Sequence, residues 1–197
     1  MIYHSIILNF GPSDSLPAEL VDLISLSYPP PLHPGRAAGL YSSRTSLLEN
    51  LRKIHPEAEF KDLALKGHGE LEHYPDLCLS LSHSAHAGAS ALGRKEDYLS
   101  LGIDIEPLDR LVKENIIQRV TTSHDLKLSN RELWCLKEAI YKCVSNSQLF
   151  SGTLEFKDMQ IRETNWIHSP SGLQGEWKLW QELDHQVALA TLKNQNS

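Results

Sequence analysis

Asp104 and Glu106, two residues apart in Gly102-Ile103-Asp104-Ile105-Glu106, are carboxylates whose spacing could do chemistry. Side chains two apart in a strand point to the same face. Ser100, Gly102, Asp104 and Glu106 then share one face, and Leu99, Leu101, Ile103 and Ile105 the other. Neighbouring carboxylates repel unless something positive lies between them. A hard divalent cation such as Mg²⁺ takes oxygen ligands of this kind and keeps waters and substrate phosphates as its other ligands. Gly102 leaves room for a ligand to approach the backbone. The plainer reading is that two acids solvate the outer face of a sheet.

A second group lies in residues 133–142, Leu-Trp-Cys-Leu-Lys-Glu-Ala-Ile-Tyr-Lys. On a helix, Leu133, Leu136, Ile140 and Cys143 form an apolar stripe, while Trp134, Glu138 and Lys142 stack at i, i+4 and i+8 on a neighbouring face. Glu138 and Lys142 read either as an ordinary surface pair or as a further metal carboxylate beside a lysine that holds a phosphate. The third group is Ser80-Leu81-Ser82-His83-Ser84. A histidine at the end of a strand could donate to a phosphate or shuttle a proton, or it could be a hydrogen-bonded structural residue.

These groups need elements to carry them. Residues 3–9 read as a short strand and residues 16–26 as an amphipathic stretch, followed by a proline-rich break over 28–34. Near-helical spacing of Leu40, Leu47, Leu48 and Leu51 predicts a helix over 36–54. Lys66-Gly67-His68-Gly69 reads as a loop. Strict alternation over 77–83 predicts a half-buried strand, with 86–92 as its antiparallel partner. A third strand spans 99–106 and is ended by Pro107. A helix is expected over 111–120, and the clearest one over 130–144, behind the capping-box sequence Ser129-Asn130-Arg131-Glu132. The tail reads as strands over 154–161, 175–183 and 186–192. Helices and antiparallel strands in both halves predict an α+β chain of two lobes, residues 1–98 and 99–197.

The 197 residues carry 19 Lys and Arg against 25 Asp and Glu, a formal charge of −6. With no basic stretch, this argues against broad nucleic-acid binding. Cys78, Cys135 and Cys143 have an odd count and no C-x-x-C spacing, so they read as reduced core thiols. No apolar run approaches a membrane span, and the N-terminus lacks the pattern of a secretory signal. A soluble, cytoplasmic protein is expected.

In their order, the three groups resemble the 4′-phosphopantetheinyl transferase superfamily. Its signature is a G-[VI]-D element followed by W-x-x-K-E-[AS]-x-x-K, here Gly102-Ile103-Asp104 and residues 134–142. The longer, two-lobed type also carries an S-H-S block upstream, here Ser82-His83-Ser84. The resemblance is densest over 77–144. It extends to residues 41–48, which are similar to the family's N-terminal helix, and to Val187-Ala188-Leu189-Ala190, similar to its closing strand. It implies two similar α/β lobes forming a pseudo-dimer within a monomer, each with a small antiparallel sheet packed on a long helix.

The resemblance further implies transfer of 4′-phosphopantetheine from coenzyme A to a serine of an apo carrier protein, with Mg²⁺ held by Asp104, Glu106 and Glu138. Glu138, Lys142 and His83 are its implied catalytic residues. Arg36, Arg44, Thr45, Lys66, Ser82, His83 and Lys142 are implied on coenzyme A, with His33 beside Arg36 near the 3′-phosphate. Asp125 takes a secondary acidic role, and Trp134 packs in the core beneath the site. The chain departs from the family's G-K-P loop, where it has Lys66-Gly67-His68-Gly69, and has Ser80 where an asparagine is common. Two other functions are open to this sequence. One is a degenerate member that binds coenzyme A or a carrier without catalysis. The other is a histidine-based metal hydrolase using residues such as His68, His73, His83 and His86, for which no H-E-x-x-H motif is present.

Overall fold

A computed structural model describes residues 1–8, 34–67, 69–85 and 87–194, with side chains described from residue 37 onward in the first helix. The expected stretch over 16–26 and break over 28–34, His33, His68, His86 and the Arg36 side chain lie outside what is described.

Three strands, β1 (Ile2–Leu8), β2 (Leu77–His83) and β3 (Ala87–Arg94), make an antiparallel sheet in the order β1-β3-β2. The 19-residue helix α1 (Pro34–Arg52) lies across it. Its contact face combines buried leucines with small polar residues. Ser46 Oγ lies 2.7 Å from Ser90 Oγ and 2.8 Å from Ser5 Oγ, and Asn50 Nδ2 donates to Ser90 Oγ at 2.8 Å. Short side chains let helix and sheet approach closely, and their pairing offsets the cost of burying hydroxyls. A Cβ on Gly88 would stand 1.9 Å from Ser43 N, so the approach depends on that glycine.

The second sheet contains β4 (Tyr98–Pro107), β5 (Met159–Ile161), β6 (Asn165–His168), β7 (Leu173–Glu182) and β8 (His185–Lys193), antiparallel in the order β4-β8-β7-β6-β5. Helix α3 (Asn130–Ser147) packs on β4 and β8, with the short helix α2 (Glu114–Val120) beside it. The capping box at Ser129 and Glu132 is formed in both directions, and the helix ends at Gln148 with a left-handed φ of 57°. Leu133, Leu136, Ile140 and Cys143 are buried as the stripe requires. Gly102 repeats the device of Gly88, since a Cβ there would meet Ala139 O at 1.9 Å. The described residues thus form a mixed α and β fold of two small antiparallel sheets and three α-helices.

The two sheets share a core in which Ile6, Ala87 and Ala89 meet Leu101, Ile103 and Val187. Where β2 faces β4, side chains replace a strand ladder. Ile103 N donates to Ser80 Oγ at 3.0 Å, and Asn146 Nδ2 donates to Leu79 O and Leu101 O at 3.3 and 3.1 Å.

Three expectations shift. The stretch 154–161 is mostly not strand: a 3₁₀ turn, Phe156–Asp158, precedes the three residues of β5. β6 was not expected, because four residues are too short to display a period. The helix expected over 111–120 covers only Glu114–Val120, since residues 108–109 turn out of β4 and 110–113 carry no regular structure.

Candidate functional site

The face of β4 that carries Asp104 and Glu106 points under α3 rather than into solvent, and their relative exposures are 5% and 4%. Solvation of an outer sheet face is therefore not their role. A cavity of about 450 Å³ opens over them. Its walls include Ser43 and Arg44 from α1, Ser82 and His83 from β2, and Glu138 and Lys142 from α3.

Lys142 links the two sheets at the cavity floor. Its Nζ donates to Asp104 Oδ1 at 2.7 Å, to Ser82 Oγ at 3.0 Å and to Ile103 O at 3.1 Å. Ser82 Oγ in turn donates to the same Asp104 oxygen at 2.8 Å. Asp104 Oδ2 is buried and has no hydrogen-bond partner. An orphaned carboxylate oxygen at the bottom of a cavity is costly unless something binds it.

Glu106 is held from both sides. Arg110 Nη1 donates to both of its oxygens, to Oε1 at 2.5 Å, and Trp134 Nε1 donates to Oε1 at 2.9 Å. Burial pushes the Glu106 carboxyl up, Asp104 adds to the effect, and Arg110 and Trp134 oppose it. Glu138 accepts no hydrogen bond among the described residues. Burial, followed by repulsion from Asp104, raises its carboxyl to about 7, with Lys142 pulling the other way. A group so tuned exchanges a proton near neutral pH.

The expected site residues divide clearly. Asp104, Glu106, Glu138, Lys142, Ser82, His83 and Arg44 all line the one cavity. Thr45 turns back along its own helix, donating to Tyr41 O at 3.0 Å, and does not line it. Lys66 is exposed outside the lining, although its neighbours Leu65 and Gly69 belong to it. The Asp125 side chain is 1% exposed and pairs with the fully buried Lys137 at 2.9 Å, away from the cavity. Its carboxylate also accepts from the backbone N–H groups of Ile161 and Thr122, so it anchors chain rather than facing substrate. Trp134 packs half-buried against the core of the second sheet, and from there it also lines the cavity and donates to Glu106.

Sequence reasoning missed Arg110 and Asn146. One more step of the i+4 series Trp134, Glu138, Lys142 reaches Asn146. Arg110 follows a turn, where no period operates. All three cysteines are buried and unpaired with one another, and burial raises the Cys78 thiol to about 12 and that of Cys135 well above its ordinary value. They are inert core residues.

The donor set of Asp104, Glu106 and Glu138 is all oxygen, and the free Oδ2 and unbonded Glu138 are ligands of the type a hard divalent cation takes. In the conformation described, no group of three or more His, Cys, Asp or Glu side chains among the described residues is gathered closely enough to hold a metal. Lys142 and Arg110 instead balance the acids. No helix among the described residues is long and apolar enough to cross a membrane.

Residues 100–192 match the family model of the 4′-phosphopantetheinyl transferase superfamily. No curated protein matches the chain.

Proposed function

Because residues 100–192 belong to the 4′-phosphopantetheinyl transferase superfamily, we propose that the protein transfers 4′-phosphopantetheine from coenzyme A to a serine of an apo carrier protein, releasing 3′,5′-ADP. The observation that carries this reading is the cavity floor, where Asp104 is clamped by Lys142 and Ser82 with Oδ2 left open, beside a Glu138 tuned to about 7.

Asp104, Glu106 and Glu138 are the residues that would hold Mg²⁺. The ion would neutralise phosphate charge and align the transferred group. The carrier serine Oγ attacks the phosphorus that bears the pantetheine arm. The bond from that phosphorus to the bridging oxygen breaks, and the oxygen leaves on 3′,5′-ADP. Glu138 accepts the serine proton, directly or through a water. Lys142 holds phosphate oxygens and stabilises the leaving group by charge-assisted hydrogen bonds. His83 and Ser82 support the phosphate from β2, and Arg44 from α1. Arg36 and Lys66 complete the nucleotide end of the reading.

Gly88 under α1 and Gly102 under α3 support two similar lobes, 1–98 and 99–197, related as a pseudo-dimer. A cytoplasmic monomer completes the proposal.

The test is intact mass of apo acyl and peptidyl carrier proteins after incubation with coenzyme A, Mg²⁺ and the protein. A gain of one phosphopantetheine, abolished by EDTA and by Asp104→Ala, is expected. Coenzyme A binding with no mass gain on any carrier would instead identify a binder without catalysis.

A further inference from the structure

Arg110 is a charged cavity residue that neither the motifs nor the transfer chemistry uses. Its backbone is secured: Arg110 N donates to Pro107 O at 3.0 Å, Leu108 N donates to Asp184 O at 2.9 Å, and Arg131 Nη1 donates to Leu108 O. Its side chain is different, being 48% exposed while the Glu106 side chain it grips is 5% exposed. The guanidinium can therefore leave for water without moving the loop, whereas Glu106 has nowhere to go.

Both Glu106 oxygens accept from that guanidinium and Trp134 supplies a further donor to Oε1, which leaves only the second lone pair of Oε2 without a donor. A divalent cation bound to Glu106 would stand about 2.0–2.1 Å from a carboxylate oxygen. A guanidinium nitrogen that bridges the two oxygens occupies the chelating position between them and carries like charge beside the lone pair that is left. Resting on the proposed metal-dependent transfer, we infer that Arg110 is a built-in counter-cation, which holds Glu106 in the metal-free protein and is displaced when a divalent ion binds. The charge count agrees. Arg110 and Lys142 already balance two of the three acids, so the site attracts a free divalent ion weakly until Arg110 swings out.

The experiment is calorimetric titration of the full chain with Mn²⁺ alone, without coenzyme A, since carboxylate sites of this type also suit Mn²⁺. Arg110→Gln is expected to bind Mn²⁺ about tenfold more tightly than wild type, as befits removal of a close charge that competes for the ligand. Lys113→Gln removes an exposed positive charge three residues along and is expected to change the affinity less than twofold, about what screened surface charge allows. An equal gain in both variants would reduce the effect to bulk charge and overturn the inference. So would an Arg110→Gln affinity equal to or weaker than that of wild type. If wild type binds Mn²⁺ with the same affinity as Arg110→Gln while transfer proceeds, this inference alone fails. If no protein binds Mn²⁺, the metal reading fails with it. An independent readout uses wild type only: the Arg110 Nη1–H groups, bonded to Glu106 without metal, should exchange with solvent faster when Mg²⁺ is added. An exchange rate unchanged with metal bound would also overturn the inference.

Discussion

Glu138 reports on its surroundings through its proton. Its raised carboxyl, about 7, means that the folded protein holds the proton over a range in which the unfolded chain, near its ordinary 4.5, has released it. Stability is therefore lost as pH rises through about 7. Glu138→Gln removes that loss. At pH 8 in metal-free buffer it should melt about 2–4 °C above wild type, or about 1 kcal/mol at this chain length, with the gap closing toward pH 4.5. A calorimetric pH series checks both the sign and the window. Activity should move the opposite way. Transfer at saturating Mg²⁺ should rise with pH as the base loses its proton, and Glu138→Gln should cost about 10²–10⁴-fold, the usual range for a general base. Lys137 presents the contrasting case of a charge used for structure. Burial lowers its ammonium while Asp125 supports it, and it donates to Asp125 and to the carbonyls of Phe156 and Met159. Lys137→Met leaves Asp125 buried without its partner, and should cost about 3–5 kcal/mol in a urea titration.

At the scale of elements, the position of α3 decides the site. Glu138 and Lys142 reach Asp104 because the helix sits almost on the backbone of β4. That proximity is possible because residue 102 has no side chain. Gly102→Ala would set a methyl group 1.9 Å from Ala139 O and 2.6 Å from Cys143 N, both backbone atoms that cannot turn aside. An overpacking cost of about 3 kcal/mol is expected from denaturant unfolding. Transfer should fall by more than the loss of folded protein, because Glu138 and Lys142 move with the helix. The i+4 row on α3 was legible in the sequence, as were the stripe that faces the core and the capping box that starts the helix. The partner of each polar residue on that row was not. Periodicity states which face a side chain occupies, but not what lies opposite it. Trp134 accordingly reads as a core residue in sequence, and in the fold it packs on the core and also donates to Glu106. Asp125 shows the converse, an acid near the motif in sequence that folds away from the cavity.

At the scale of the molecule, the two sheets complete one another. Leu101, Ile103 and Val187 on one meet Ile6, Ala87 and Ala89 on the other. Residues 99–197 expressed alone would expose that face to water. They should give a molten or aggregated state, seen as lost near-ultraviolet circular dichroism, and not a well-dispersed amide spectrum. A well-folded fragment would instead mean that the shared core adds little to the stability of the second lobe. The cavity is a product of the same meeting, since Ser82 and His83 come from one sheet, Asp104 and Glu106 from the other, and Lys142 bonds to both. By itself the sequence determined the identities and spacing of Asp104, Glu106, Glu138 and Lys142, and the strand and helix that carry them, because local periods and caps act over a few residues. The tertiary structure alone decided that Asp125 faces inward, that Thr45 bonds its own helix, and that Arg110 closes on Glu106. Those outcomes depend on which surfaces become buried against each other, and burial is set by contacts between residues far apart along the chain.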